Sequence, residues 1–183
     1  VSIVSDAVGN TICAGTSVTF TATAGSTGGG TVTYDFKVNG TSVQSGSSNT
    51  YTTTTLVNSD AVTVDITVAD GTCLTTTTAT SNSIVTTVNA NLTPTVTVVS
   101  DASGNTICAG TSVTFTATAG STGGGTVTYD FKVNGTSVQS GSLNTYTTAA
   151  LVNQDAVTVD ISVAGGTCLT TTTATSNSIV TTV

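Results

Sequence analysis

The chain has 183 residues and a formal net charge of -7, from nine acidic residues, all Asp, against two lysines, Lys37 and Lys132, with no histidine. Neutralising phosphates takes clustered Lys or Arg, so nucleic acid is excluded as a partner. No apolar run approaches the roughly 20 residues of a membrane helix, and the opening residues lack the basic region of a signal peptide.

There is no Met either, and the sequence is expected to be an interior segment of a longer mature chain. Val and Thr dominate, while Glu, Arg and Met are absent. Such a chain suits strands with one packed and one wet face. The expected class is all-β.

Taken in order, "VSIVS" predicts a first strand. "SVTFTATA" alternates, with Val18, Phe20, Ala22 and Ala24 on one face and Thr on the other. "GSTGGG" (Gly25–Gly30) reads as a flexible loop. "TVTYDFKV" points Val32, Tyr34, Phe36 and Val38 inward and Asp35 and Lys37 outward, and Asn39–Gly40 then signals a hairpin. Two shorter strands follow, "TSVQS" and "NTYTTTTL", before a turn at "VNSD". "AVTVDITVA" buries Val62, Val64, Ile66 and Val68, and a last strand runs through "CLTTTTATSNSIVTTV".

The whole pattern recurs after 95 residues. Val1–Val88 aligns without a gap to Val96–Val183, and nine positions differ. Between the copies lies Asn89–Thr95, "NANLTPT", with the only proline, Pro94. It reads as a short semi-extended linker. Seven or so short strands per copy predict two tandem immunoglobulin-like antiparallel β-sandwiches.

"ICAGTSVTFTAT", the "KVNG" hairpin, the "LVNSDAVTV" corner and the closing "TSNSIVTTV" resemble the Ig-like or PKD-like repeats of very large Bacteroidetes-type surface proteins. Among those are gliding-associated adhesins exported by the type IX secretion system. The resemblance spans both copies, and Phe36 and Phe131 stand where many such repeats carry Trp. It implies an extracellular, cell-surface stalk and no enzymatic role. Any glycan or substratum would be bound by a head domain outside this segment.

Four cysteines remain, Cys13 and Cys73 in one copy, Cys108 and Cys168 in the other. Zinc would want closer spacing or His, so disulfides are expected. Two pairings fit the spacing. Bridges inside each domain would join Cys13 to Cys73 and Cys108 to Cys168. In an Ig-like sandwich, however, these loops fall at opposite ends of a nine-residue strand, about 30 Å long. Bridged Cα atoms must lie within about 7 Å. In a head-to-tail array Cys13 would instead approach Cys168, with Cys73 and Cys108 pairing to further repeats.

Other chemistry finds little footing. Without His or Glu the common bases for a Ser or Thr nucleophile are missing, so no enzyme is expected. Lys37 reads as a solvated partner of Asp35 or Asp65 rather than an isopeptide lysine. No DxDxDG calcium loop exists, and neither metal nor cofactor is expected. The sequence thus predicts a structural repeat of an extracellular filament or adhesin stalk, its partners the adjacent identical repeats. The alternatives are a glycan- or surface-ligand-binding module and a subunit of a non-covalently polymerised fibre.

Overall fold

The computed structural model describes residues 1–183, which divide into two compact units, Val1–Ala90 and Asn91–Val183. Each unit is an all-β sandwich, interrupted by one short 3-10 turn.

In the first unit, β1 (Ser2–Ser5), β3 (Val18–Thr23) and β6 (Thr50–Thr53) form an antiparallel three-stranded sheet, with β2 (Thr11–Cys13) set apart from it. Opposite stands a larger sheet of β4 (Thr31–Val38), β5 (Thr41–Gly46), β7 (Ala61–Ala69) and β8 (Thr78–Thr80), ordered β5-β4-β7-β8. The strand β9 (Ile84–Val85) pairs with β7 beyond β8. This order, three strands against a hairpin-built sheet, is that of immunoglobulin-like and fibronectin III-like domains.

The alternation read from the sequence decides the layers. Val18, Phe20 and Ala22 of β3 meet Phe36 of β4 and Val62 and Val64 of β7, all at most 1 % exposed. Tyr51 joins them, its ring 6.3 Å from Phe20 and 5.7 Å from Phe36. Thr lines the wet faces, where Thr19 and Thr52 exchange a 3.0 Å hydroxyl bond across strands. Burying such a core stabilises each unit by about 25 cal/mol per Å² of apolar surface.

Two turns tie the sheets' edges together. Asn39 (φ 50°) and Gly40 (φ 80°) make the hairpin between β4 and β5, as the Asn-Gly pair predicts. Asn39 also donates to the buried Asp60 carboxylate at 2.7 Å and accepts from the Ala61 amide at 3.0 Å. The hairpin and the "VNSD" corner are therefore one hydrogen-bonded unit.

Three expectations need correcting. The first strand forms as predicted, as β1, but Cys13 does not lie in a loop: after β1 the chain passes a 3-10 turn, Val8–Asn10, and β2, which ends at Cys13, pairs in parallel with β10 (Thr87–Asn89). The last strand is broken. Asn82 turns its side chain across to β1, accepting from the Ile3 amide at 3.0 Å and donating to its carbonyl at 3.1 Å. A side-chain amide there does the work of a strand backbone. Finally, "GSTGGG" is packed backbone against backbone: a Cβ on Gly28 would lie 2.2 Å from the Thr72 carbonyl oxygen, and one on Gly30 2.4 Å from that of Ala69.

The second unit repeats the plan with β11 (Thr95–Ser100), β12 (Val113–Gly120), β13 (Thr126–Val133), β14 (Thr136–Gly141), β15 (Thr145–Thr148), β16 (Ala156–Ala164), β17 (Thr173–Thr175) and β18 (Ile179–Val180). Phe115 and Phe131 are fully buried, and Asn177 bridges to Val98 as Asn82 does to Ile3. No helix is long and apolar enough to cross a membrane.

Candidate functional site: the cysteine-bearing ends

Cys13 and Cys168 are each disulfide-bonded, whereas Cys73 and Cys108 are free and exposed thiols. Of the four cysteines expected in bridges, two are therefore so engaged. The alternative of one bridge within each unit, Cys13–Cys73 and Cys108–Cys168, is not formed.

The register inside the first unit gives the reason. Cys13 ends β2, facing Asn89 of β10, and the Ala14 amide donates to the Asn89 carbonyl at 2.9 Å. That edge belongs to the Ala61 end of β7, where Asp60 and Thr86 are hydrogen-bonded at 2.9 Å. Cys73 follows the other end of β7, past Ala69. A nine-residue strand, roughly 30 Å of extended chain, separates the two.

The turn after Cys13 explains the repeated "CAGT". The Thr16 amide donates to the Cys13 carbonyl at 3.0 Å, with Gly15 at φ 80°, the position in such a turn that favours glycine. Cys108 has the same turn, closed by Thr111 at 3.0 Å with Gly110 at φ 78°.

Cys168 is held differently, in the left-handed region at φ 56°, as its counterpart Cys73 is at φ 58°. Two neighbours hydrogen-bond to this loop. On one side the Thr167 amide donates to the Gly123 carbonyl at 3.0 Å. On the other lies Leu92, whose amide donates to the Cys168 carbonyl at 2.7 Å while its carbonyl accepts from Thr170 at 2.8 Å. Leu92 thereby forms a one-residue parallel bridge with Leu169, and the Thr93 and Thr170 hydroxyls meet at 2.7 Å. Two residues on, Pro94 is buried. The segment Asn89–Thr95 is thus built into strand pairing at its first residue and at its middle, Asn89 beside Cys13 and Leu92 beside Cys168. Sequence reasoning missed this, although a lone proline among threonines was the available signal.

The outer face of the larger sheet was the other candidate. Lys37 lies 2.6 Å from the Asp65 carboxylate and 3.6 Å from that of Asp35, and Lys132 repeats this with Asp160 and Asp130. Hydrogen bonding from Lys37, then from Thr80, holds the Asp65 carboxyl below its usual 3.8; the bond to Asp65 raises Lys37 above 10.5. Both groups are charged at neutral pH, the opposite of what amide formation between them would need. Beside them runs a groove of about 780 Å³, lined by hydroxyls and carboxylates such as Thr33, Asp35, Ser42 and Thr80. No aromatic ring lines it. Every Phe is buried, and each Tyr packs against the core.

Fold and ends together define a pair of immunoglobulin-like or fibronectin III-like modules. Among solved structures the chain is similar to fibronectin(III)-like modules of Clostridium thermocellum CbhA, at 19 % identity and a TM-score of 0.41, covering 98 % of this chain and 94 % of that one. It is also similar to the three N-terminal domains of the outer capsid protein Hoc of bacteriophage RB49 (17 %, TM-score 0.40, 99 % and 58 % covered). An amphioxus IgVJ-C2 molecule matches at 11 % and a TM-score of 0.39, covering 94 % and 99 %. The chain spans little more than half of the phage structure. No family model and no curated protein matches.

Proposed function

We propose that the protein is a load-bearing repeat of an extracellular bacterial filament or surface-adhesin stalk, in which a Cys13–Cys168 bridge staples one domain to the next. The observation that carries this reading is the redox state of the four cysteines: one from each repeat is bonded and one from each is free. A bridge that served single domains would engage both cysteines of the same repeat.

The linker's pairing supports the same reading. Asn89 is a strand neighbour of Cys13 and Leu92 of Cys168, each about 5 Å away. Three peptide units separate Asn89 from Leu92, at most about 11 Å. Chain connectivity alone thus caps the separation of the two cysteines at about 21 Å, which permits the bridge but does not by itself impose it. Disulfides persist outside the reducing cytosol, which agrees with export to the cell surface. By extension Cys73 and Cys108 would serve neighbouring repeats. A glycan-binding role finds less support, since the rings that would stack on a sugar are committed to the core.

The test is stiffness. Small-angle scattering of the chain with and without reductant should show a narrow distribution of end-to-end distances when oxidised and a broader one when reduced. Equal distributions would remove the mechanical argument.

A further inference from the structure

The two repeats are nearly identical, so differences in exposure between matching residues report on what covers them. In the second unit β11 begins at Thr95, and Thr95 and Val96 pair with Gly120 and Ala119. In the first unit Thr95 has no counterpart, and Val1, which matches Val96, is not paired with Ala24: β1 begins at Ser2, paired with Thr23. Val96 is 6 % exposed and Val1 only half-buried. Gly120 and Ala174 are half-buried, while their counterparts Gly25 and Ala79 are exposed. The Thr170 amide donates to Leu92, and that of its counterpart Thr75 has no such partner. Between these residues the first unit has a cavity of about 110 Å³, lined by Val1, Gly25, Ile66, Val68 and Ala79 among others.

What distinguishes the second unit is the segment Asn91–Thr95. Leu92 pairs with Leu169, and Pro94, which has no N–H to leave unpaired, is buried. We propose that the leading face of the first unit is a docking site for a segment of this sequence, joined directly ahead of Val1. Its leucine would pair with Leu74, and its proline would pack beside Val1. Such a linker is then the first structural element of the domain that follows it, and is hydrogen-bonded to the loop bearing that domain's second cysteine. The proposal needs no bridge, because the segment carries no cysteine, so it stands or falls apart from the staple.

The experiment joins Asn-Ala-Asn-Leu-Thr-Pro-Thr ahead of Val1 in the full chain and follows amide hydrogen exchange. Peptides from the two repeats are told apart by Asp70 against Gly165. Exchange at Thr75 should slow at least tenfold, approaching that at Thr170. A control extension with Ser in place of its Leu and Pro should give no slowing. Exchange within twofold of the unextended chain, or equal slowing from the control, would overturn the proposal.

Discussion

Tension applied between Val1 and Val183 separates the readings of the cysteines by length alone. A Cys13–Cys168 bridge leaves roughly 28 residues outside it, and at about 3.5 Å per extended residue the oxidised chain should lengthen by only about 100 Å in all. With the bridge reduced, each unit should unravel in its own step of about 300 Å, since each contributes roughly 90 residues. Magnetic tweezers or force spectroscopy with handles at the termini measures both. Cys13→Ser should give the two long steps without any reductant, which ties the effect to this sulfur. Two steps of about 100 Å each from the oxidised chain would indicate a bridge inside each unit. Two steps of about 300 Å would indicate no bridge at all. Either result refutes the reasoning.

Three further outcomes are expected. Asn82→Ala removes both bonds to Ile3; at about 1 kcal/mol each, the first unit should lose roughly 2 kcal/mol and melt about 10 °C lower, splitting the calorimetric transition in two. Gly123→Ala puts a Cβ 2.3 Å from the Thr167 carbonyl oxygen at φ 57°, so the second unit should lose at least about 2 kcal/mol and the Cys168 bridge should be reduced faster, as thiol-trapping kinetics would show. The lysine pairs should shape the pH profile. The depressed Asp65 and Asp160 carboxyls contribute stability above about pH 4 that is lost as pH falls through their folded values, and the raised lysines contribute stability that is lost as pH rises beyond about 10.5. Urea midpoints should be flat between roughly pH 5 and pH 9, and Lys37→Met with Lys132→Met should soften both limbs.

The sandwich was legible because its core strands alternate strictly. The β7 pattern of Val62, Val64, Ile66 and Val68 has only one packing solution, and Asn39–Gly40 fixes the hairpin register beside it. What was not legible depends on side chains acting at long range. Nothing local to "TSNS" says that Asn82 will reach Ile3, far away in sequence, and break the last strand there. The glycine run was misread for a similar reason. Glycine permits freedom and close approach alike, and only the loop at Thr72 decides between them. The separation of Cys13 from Cys73 could be argued early, because strand direction and length are properties of the chain. The docking of Leu92 and Pro94 could not, because an uncharged segment of Asn, Thr and Pro reads as linker until its partner at Leu169 is known.

The most direct test of the staple is peptide mapping of the unreduced protein, with free thiols blocked first and a protease that cuts between strands. The account predicts one cross-linked species joining the Cys13 peptide to the Cys168 peptide, the latter marked by Gly165. A Cys13 peptide linked to the Asp70-bearing peptide of Cys73 would contradict it, and would make each domain an independently closed bead.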